Sequence, residues 1–367
     1  MARVDLVDVG KTLTGRGEPG ERPLRPQAGF RLEHLNLRIP DGRTLVTLWP
    51  SGCGKTTLLK LIAGLITPDS GAIRYDDVDM RDVAPGARRI GMVFQNYALY
   101  PHVTARTNVL SYFMFRKKTP ELSEIAAARY RRTAELMGVE LEQLLDRRPP
   151  TLSGGEKQRV ALGRCITRDP ALFLMDEPFS NLDQGLREKY RVNLKILLKQ
   201  FSITTVYVTH DHHEASILAD VLVIMDRGRI EQVGTYQDIY DRPQNAFVAG
   251  FLSRHVGIPS IGFIDGRHVP HAAGLGDVRV GVRPEDLGVS REPRPDDIRG
   301  VVAGVLPLPL LDATVLSVRV AEHEVHVKVS GRASVMPGDA IGLHARRYHV
   351  FDVGSGTRLS TVSTDGA

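Results

Sequence analysis

The chain has 367 residues, of which 42% are hydrophobic and 25% are charged, and its formal net charge at pH 7 is +5. These values exclude wholesale disorder, a coiled coil and a collagen-like fibre, and two cysteines are too few for a disulfide framework. At about 150 residues per domain, the length predicts two or three domains, while so small a basic excess does not call for a nucleic-acid partner, and we expect none.

The amino-terminal residues 1–11 lack the charged-then-apolar layout of a signal peptide. Residues 15–29 are rich in glycine, proline and charge, which predicts a flexible surface loop. No apolar run approaches the roughly 18 residues that span a bilayer. The longest runs, such as residues 171–175 and 221–225, are typical of buried strands. We therefore expect a cytosolic chain that does not cross a membrane by itself.

From about residue 32 to residue 234, strand-like and helix-like stretches alternate, which predicts an α/β domain with a largely parallel sheet. A helical pattern at residues 124–145 indicates a helical insert within this domain. Gly64 is suited to cap the helix that precedes it. Around the site described next, the predicted strands are residues 44–49, 171–175 and 205–209, and the predicted helix is residues 55–63.

Residues 50–57, PSGCGKTT, lie between a predicted strand and a predicted helix. Backbone N–H groups and a helix N-terminus converge on an anion at such a turn. The pattern predicts that Lys55 reaches the β and γ phosphates of a nucleotide and that the Thr56 hydroxyl binds Mg²⁺. The predicted phosphate-binding residues are Pro50, Ser51, Gly52, Cys53, Gly54, Lys55, Thr56 and Thr57. A glycine-rich turn that caps an unrelated helix is the alternative.

The first position of this phosphate loop is Trp49, where the usual pattern has glycine. A side chain there is expected to crowd the loop or to force strained dihedrals. The cost is about 1–3 kcal/mol if the position needs a conformation that only glycine adopts. We expect the loop to form nevertheless, with weaker nucleotide binding or slower turnover.

An apolar run at residues 172–175 ends in two carboxylates, Asp176 and Glu177. Asp176 is expected to hold the Mg²⁺ shell, and Glu177 to orient and deprotonate the attacking water. His210 closes another apolar run and is a candidate contact for the γ-phosphate, with a purely structural role as the alternative. A metal site made of His210, His212 and His213 is disfavoured, because neighbouring histidines on such a turn splay apart.

A second glycine-rich turn, residues 152–156 (LSGGE), opens another predicted helix. It predicts a second anion-binding end, with a plain helix cap as the alternative. The chain therefore has one lysine-bearing phosphate loop and two anion-binding turns. This arrangement fits a nucleotide clamped between two copies of the protein.

The pattern changes after residue 234. Residues 236–252 are predicted to be helical, with an interruption at Pro243. Short β-branched runs follow, broken by glycine and proline, and they predict a small antiparallel barrel or sandwich. These runs are residues 278–282, 314–320 and 325–329.

Six segments in this order, PSGCGKTT, VFQNYALYP, LSGGEKQRVALGR, LFLMDEP, SNLD and VTHD, closely resemble the nucleotide-binding domain of ABC ATPases. The resemblance implies that Glu177 is the catalytic base, that His210 is the switch histidine, and that Gln95 senses Mg²⁺, γ-phosphate and the transmembrane partner. The catalytic residues that it implies are Glu177, His210, Lys55 and Gln95. The implied metal ligands are Thr56, Gln95 and Asp176. The residues assigned to the contact with the other subunit are Ser153, Gly154, Gly155 and Asp183.

The carboxy-terminal segments VGTYQDIYDRPQNAFVAGFL, VGVRPEDL and HVFDVGSGTRL look like those of ATPase subunits of bacterial carbohydrate importers. In that group a small all-β regulatory domain, of the OB or TOBE kind, follows the P-loop ATPase domain. The resemblance implies an ABC nucleotide-binding domain over residues 1–240, with a helical subdomain at about 97–165, and a β-rich regulatory domain over residues 241–367.

The implied cofactors are ATP and Mg²⁺, and the implied location is the cytoplasmic face of the inner membrane. The implied partners are a second ATPase subunit, most simply in a homodimer, integral membrane permease subunits and, indirectly, an extracellular or periplasmic solute-binding protein. The implied function is ATP hydrolysis that powers import of a sugar, a polyol or a glycerol phosphate.

The sequence departs from the family pattern at several places besides Trp49. Glu156 replaces a frequent glutamine, and the adenine-stacking aromatic expected near residues 11–13 is absent, with Phe30 as a possible substitute. These departures motivate an alternative, a degenerate regulatory subunit that binds ATP but has weak ATPase activity. An ABC ATPase acting on DNA or ribosomes is a third hypothesis, disfavoured because the chain has one ATPase domain and no long coiled-coil insertion.

Overall fold

The computed structural model describes residues 2–13, 30–50, 55–114, 116–117, 119–137, 139–180, 184–253 and 259–364. The chain divides into two compact units, Met1–Tyr236 (unit 1) and Gln237–Ala367 (unit 2). The boundary expected from the sequence, between residues 240 and 241, lies slightly later. No helix in the described part of the chain has the length and apolar character needed to span a membrane.

Unit 1 alternates strands and helices over most of its length. In chain order the described elements are β1 (Val4–Leu13), β2 (Phe30–Ile39), β3 (Thr44–Leu48), α1 (Lys55–Ala63), β4 (Ser70–Tyr75), β5 (Val78–Asp79), β6 (Ile90–Val93), α2 (Ala105–Val109), α3 (Ser111–Met114), α4 (Pro120–Met137), α5 (Val139–Glu142), α6 (Gly154–Thr167), β7 (Leu172–Asp176), α7 (Gln184–Phe201), β8 (Thr204–Thr209), α8 (His212–Leu218), β9 (Val221–Asp226) and β10 (Arg229–Gly234). Helices α2 to α6 all lie between β6 and β7, which is where the sequence predicts a helical insert.

The central sheet of unit 1 has the order β10-β9-β3-β8-β7-β6. All neighbours in it are parallel except the β9–β10 pair. Every residue of β3, β7 and β8 is buried, as expected for parallel strands that are covered on both faces. The carboxyl ends of parallel strands lie at one edge of a sheet, so the segments that follow β3, β6, β7 and β8 come together there.

A second sheet in unit 1 is antiparallel, with the order β2-β1-β4-β5. The sequence prediction of a largely parallel sheet did not include it. Its buried side chains, among them Val4 and Leu6 of β1, share one core with Leu58 and Leu61 of α1 and with the central sheet. Helix α1 is therefore held in place by apolar contacts with this shared core.

Trp49, the residue that follows β3, belongs to the same core and is completely buried. It is not among the described residues that have a positive φ angle. The prediction of strained dihedral angles at Trp49 is therefore wrong, because its backbone does not adopt the left-handed conformation that favours glycine. Within the described part of the chain, the indole Nε1 has no hydrogen-bond partner.

Unit 2 begins with two short helices and continues as an all-β structure. Its described elements are α9 (Tyr236–Asp241), which starts at the last residue of unit 1, then α10 (Ala246–Phe251), β11 (Gly262–Asp265), β12 (Val278–Val282), β13 (Leu287–Ser290), β14 (Ile298–Leu308), β15 (Ala313–Val320), β16 (His323–Ser330), β17 (Ala340–Ala345), β18 (Arg347–Asp352) and β19 (Arg358–Ser363). The strands form two antiparallel sheets, with the orders β11-β12-β18-β19 and β13-β17-β14-β15-β16. The three predicted β-branched runs correspond to β12, β15 and β16.

A buried arginine links the helices of unit 2 to its strands. The guanidinium of Arg283, which follows β12, lies 3.6 Å from the centroid of the Tyr240 ring in α9. It also donates hydrogen bonds to the carbonyl oxygens of Tyr240, Ala249, Leu252 and Ser260. Since a buried guanidinium must find acceptors for its N–H groups, this network explains how its charge is tolerated inside unit 2.

Candidate nucleotide-binding site

Lys55, Glu177 and His210 form one contact group at the carboxyl edge of the central sheet. The Lys55 Nζ lies 2.7 Å from the Glu177 Oε1, and the His210 Nδ1 lies 3.1 Å from the same oxygen. Lys55 opens α1, Glu177 follows β7, and His210 follows β8, which is the neighbour of β7. The parallel pairing of β7 with β8 thus brings together residues that are far apart in the sequence.

Glu177 has an unusual backbone conformation, with a φ angle of 43°. A left-handed conformation costs a non-glycine residue roughly 1–2 kcal/mol. The Glu177 N–H donates to the carbonyl oxygen of Val208 in β8 at 3.0 Å, and the side chain is only 15% exposed. The strained residue is therefore held by a hydrogen bond to the neighbouring strand, with its carboxylate on Lys55.

The pKa of Glu177 lies below its usual value. Burial by itself raises this pKa, but the hydrogen bonds and positive charges of Lys55 and His210 outweigh the effect of burial. Glu177 is accordingly an ionised carboxylate at neutral pH, which is the state that can accept a proton.

Thr56 and Asp176 bring two hard oxygen atoms together beside this group. The Thr56 Oγ1 donates a hydrogen bond to the Asp176 Oδ2 at 3.0 Å. Neighbouring ligands of an octahedral Mg²⁺, each about 2.0–2.1 Å from the ion, are about 2.9 Å apart. The two oxygens thus already have the spacing of adjacent Mg²⁺ ligands, and the donor chemistry of these residues fits that ion.

The pKa of Asp176 is raised, in the opposite direction to that of Glu177. Burial is the main cause, and the negative charge of Glu177 adds to it, while the hydrogen bond from Thr56 works against it. Two adjacent carboxylates therefore have opposite pKa shifts, because Lys55 and His210 contact Glu177 and not Asp176.

Gln95 lies two residues after β6, in a turn on the same edge of the sheet. Its side chain is exposed. Two residues further along the chain, Tyr97 is buried and has a φ angle of 62°. The guanidinium of Arg164, near the end of α6, donates to the carbonyl oxygens of Tyr97 and Ala98. Helix α6 is therefore hydrogen-bonded to the turn that carries Gln95.

The second anion-binding turn forms the N-terminus of α6. Ser153 is the N-cap, its Oγ accepts from the Glu156 N–H at 3.3 Å, and the Glu156 carboxylate accepts from the Ser153 N–H at 2.7 Å. Such a reciprocal pair is a capping box. The backbone hydrogen bond from Ser153, with help from Arg147, lowers the pKa of Glu156. Glutamate in place of the more frequent glutamine therefore has a structural role, and Gly154 and Gly155 form the first turn beyond the cap.

Gly155 is packed directly against Tyr190 of α7. A Cβ atom at Gly155 would lie 2.3 Å from the Tyr190 hydroxyl oxygen and 2.5 Å from two ring carbons. The Tyr190 ring also lies near Arg159, whose guanidinium is 5.2 Å from the ring centroid. The sequence did not point to Tyr190. Gly155 indicates that some group packs closely against the backbone there, but nothing in the sequence indicates which residue it is.

Several predicted site residues lie outside the described part of the chain, namely Ser51, Gly52, Cys53, Gly54 and Asp183. The stretch at 15–29 and the side chain of Phe30 also lie outside it. Of the remaining loop residues, Pro50 follows the core residue Trp49 and Thr57 is buried in the first turn of α1.

His212 and His213 open helix α8. The Asp211 carboxylate caps this helix and accepts from the backbone N–H groups of His213 and Glu214. Among the described residues, no group of three or more potential metal ligands contains His210, His212 or His213.

The family model described as ABC transporter matches residues 32–180. The sn-glycerol-3-phosphate import ATP-binding protein UgpC 3 of Agrobacterium fabrum is 39% identical over 98% of this chain and 100% of the relative. The trehalose/maltose import ATP-binding protein MalK of Thermococcus litoralis is 38% identical over 98% of this chain and 100% of the relative. The chain belongs to the ABC transporter family of ATP-binding proteins.

Solved structures agree with this assignment. The dimeric ATP-binding cassette MJ0796, in a post-hydrolysis state with ADP and Pi, is 30% identical to this chain, with a TM-score of 0.50 over 63% of this chain and 98% of that one. A second dimeric structure of the same bacterial ABC transporter cassette gives a TM-score of 0.51 at the same identity and coverage. The protein is thus an ATP-binding subunit of the transport ATPase class, with an α/β cassette followed by an all-β unit.

Proposed function

We propose that this protein hydrolyses ATP and so powers the import of a sugar, a polyol or a glycerol phosphate through membrane-spanning permease subunits. The observation that carries the proposal is the group at the sheet edge, in which Lys55 and His210 both contact Glu177 beside the Thr56–Asp176 pair. Phosphoryl transfer to water requires a cation that binds phosphate, an ionised base, and oxygen ligands for Mg²⁺, and this group offers all three.

Lys55 and Glu177 form an ion pair at a distance of 2.7 Å. The β and γ phosphates of ATP are the competing partner for Lys55, since the start of α1 adds backbone N–H groups that favour an anion. Once Lys55 moves toward the phosphates, the carboxylate of Glu177 loses its strongest hydrogen bond and becomes more basic. Binding of ATP thereby prepares Glu177 to accept a proton from the attacking water.

We assign Mg²⁺ to Thr56 and Asp176, with Gln95 as a further contact from the turn after β6. When bound, Mg²⁺ neutralises negative charge on the phosphate oxygens. The Asp176 carboxylate holds its proton more tightly than usual because it is buried. A divalent cation opposes that effect, so the Asp176 carboxylate is expected to be ionised whenever Mg²⁺ and nucleotide are bound.

A second copy of the chain supplies the other half of each nucleotide site in this proposal. The capped N-terminus of α6, with Ser153, Gly154 and Gly155, is assigned to bind the nucleotide held by the other copy. Asp183 is assigned to the contact between the two copies. The dimeric form of the related cassette MJ0796 supports this arrangement.

The transported solute is assigned by similarity to relatives that import sn-glycerol-3-phosphate and trehalose or maltose. In the proposal, permease subunits bind near the turn formed by residues 95–101, and a solute-binding protein on the other side of the membrane delivers the solute to them. The protein then works at the cytoplasmic face of the membrane as a peripheral subunit. Unit 2 is assigned to the regulatory domain.

The alternative of a degenerate, weakly hydrolysing subunit is not favoured. It is motivated by Trp49 and by the absent adenine-stacking aromatic, but the Trp49 side chain is buried in the core and its backbone is not left-handed. Glu177, to which the proposal assigns the role of base, is in contact with Lys55 and His210. Neither does any observation favour an ATPase that acts on DNA or ribosomes.

Replacement of Glu177 by Gln tests the proposal. Glutamine keeps the size of the side chain but cannot accept a proton, so steady-state ATPase activity is expected to fall by roughly 10²–10⁴-fold while ATP still binds. Activity is measured by phosphate release and binding with a fluorescent ATP analogue. The exposed residue Glu124 of α4 provides a matched control, because Glu124→Gln is expected to keep full activity. Native turnover in Glu177→Gln would remove Glu177 from the role of base.

A further inference from the structure

Four side chains of unit 2 that can bind a metal ion lie together where the end of β11 meets the β15–β16 hairpin. Asp265 ends β11, His268 belongs to the 3₁₀ turn that follows it, Glu322 lies in the hairpin turn, and His323 opens β16. We propose that this cluster, called the hairpin cluster below, binds a transition-metal ion of the zinc class. The proposal is independent of the ATPase site, which lies in unit 1.

Three side chains of the hairpin cluster lie close enough together to share one metal ion, and His268 lies near one of them, Glu322. Ligand atoms of Asp265, Glu322 and His323 all lie within 4.8 Å of one another. The His323 Nε2 is 3.5 Å from the Glu322 Oε1, and the His268 Nε2 is 3.7 Å from the Glu322 Oε2. These separations are too long for good hydrogen bonds. They are close to the roughly 3.3 Å between two ligands of a tetrahedral zinc ion with bonds of about 2.0 Å.

Both histidines direct a buried, unsatisfied nitrogen at this place. Among the described residues, neither the His268 Nε2 nor the His323 Nε2 has a hydrogen-bond partner, and both atoms are shielded from solvent. The two ring centroids are 6.4 Å apart. A buried polar atom without a partner is destabilising, because it has lost its hydrogen bonds to water. A metal ion beside Glu322 would satisfy both nitrogens at once.

The chemistry of the donors selects the kind of ion. Two imidazole nitrogens with carboxylate oxygens suit Zn²⁺, Co²⁺, Ni²⁺ or Cu²⁺, whereas Mg²⁺ and Ca²⁺ prefer oxygen ligands alone. Asp265 is half-buried and Glu322 exposed, so the ion can enter from solvent. The Mg²⁺ that is assigned to Asp176 is therefore not expected to compete for the hairpin cluster.

Arg267 forms ion pairs with both carboxylates of the hairpin cluster. Its Nη2 lies 3.0 Å from the Glu322 Oε1, and its Nε lies 3.1 Å from the Asp265 Oδ2. The guanidinium thus balances the charge of both carboxylates. Its side chain is 66% exposed, so it can swing into solvent when a cation replaces it. Arg267 and the metal ion are therefore competitors for the same two carboxylates.

Titration of the full-length protein with Zn²⁺ alone, followed by calorimetry, tests the proposal. We expect the double variant His268→Ala/His323→Ala to lose one equivalent of bound Zn²⁺, and each single variant to bind at least about 10-fold more weakly. The matched control is His326→Ala on the same strand, because the His326 imidazole faces Glu324 and not the hairpin cluster. Circular dichroism in the presence of EDTA checks that the variants fold. An unchanged Zn²⁺ stoichiometry in the folded double variant would overturn the proposal.

A second variant separates a metal site from a plain ion-pair network. Arg267→Gln removes the competing cation, so Zn²⁺ is expected to bind more tightly to it than to the native protein. Co²⁺ added to native protein should give the visible absorption of a tetrahedral nitrogen and oxygen site, and His268→Ala/His323→Ala should abolish it. Weaker or unchanged Zn²⁺ binding in Arg267→Gln would show that Arg267 does not compete with the ion, and Co²⁺ spectra no different from those of the hydrated ion would show that the hairpin cluster is only an ion-pair network.

Discussion

At the scale of single residues, the most informative pair is Asp176 and Glu177. They are adjacent in sequence, yet the pKa of Asp176 is raised and that of Glu177 is lowered. Burial acts on both carboxyl groups, but Lys55 and His210 contact Glu177 alone. Opposite pKa shifts in neighbouring carboxyls are consistent with different roles for the two groups, as proposed for Asp176 and Glu177.

The raised pKa of Asp176 leads to a prediction about stability. Because its pKa in the folded protein exceeds the unfolded value of about 3.9, protonated Asp176 favours folding. That contribution is complete below the unfolded pKa and is lost as the pH rises through the folded pKa. Without Mg²⁺ and nucleotide, Asp176→Asn should therefore raise the free energy of unfolding at pH 7. The gain should shrink toward pH 4.

Urea unfolding at several pH values measures this effect. The exposed carboxylate of Asp82 offers a matched control in unit 1, and Asp82→Asn should show little change at any pH. Asparagine retains an oxygen that can accept the Thr56 hydrogen bond, so packing changes little. An Asp176→Asn variant that is less stable than the native protein at pH 7 would contradict burial as the dominant cause.

The residue scale also shows what the sequence can and cannot predict about the site. Lys55, Asp176, Glu177 and His210 were assigned from motifs, because each lies at the carboxyl end of a predicted parallel strand or at the start of the helix that follows one. The direction of the Trp49 side chain was not predictable. A pattern mismatch says that a glycine is missing, but only the packing of the core shows that there is room for an indole.

At the scale of elements, the contact between α6 and α7 positions the second anion-binding turn. Gly155 belongs to the first turn of α6, and the ring of Tyr190 occupies the space where a side chain would be. Replacing glycine by alanine in a helix normally stabilises it by about 0.5–1 kcal/mol. Here we expect Gly155→Ala to destabilise unit 1 by about 1–3 kcal/mol, because the added methyl group overlaps with Tyr190.

The double variant Gly155→Ala/Tyr190→Ala makes this prediction specific. In the Tyr190→Ala background the space is empty, so Gly155→Ala should change from destabilising to neutral or stabilising. Chemical unfolding of the four proteins in a double-mutant cycle gives the coupling energy. A Gly155→Ala effect that is the same in both backgrounds would show that Tyr190 does not constrain the turn.

Elements differ in how well the sequence predicts them. Strand β12 and the runs within β15 and β16 were anticipated, since short β-branched stretches bounded by glycine or proline are strong local signals. The antiparallel sheet of β1, β2, β4 and β5 was not. Although β1 and β2 alternate in polarity, their pairing joins residues on either side of the stretch at 15–29, and pairing between distant segments leaves no local signal.

At the scale of the whole molecule, each chain has one predicted phosphate site with Lys55 and one separate helix N-terminus, at Ser153, that is predicted to bind an anion. If two copies complete each other's sites, then a chain defective in Lys55 and a chain defective in Ser153 must complement each other. A mixed dimer of Lys55→Ala and Ser153→Arg would contain one site with both defects and one site with neither. Each variant alone should have almost no ATPase activity.

Mixing the two variants in equal amounts therefore gives a test in which the recovered ATPase activity has a definite expected value. Random pairing makes half of the dimers mixed, and each mixed dimer has one intact site of two, so about a quarter of the native ATPase activity should return. Mixing Lys55→Ala with Glu177→Gln is the matched control, because both defects lie on the same side of the site. In a dimer of those two, each site has one defect, and no activity should return. Equal recovery in both mixtures, or recovery in neither, would exclude a site shared between two copies.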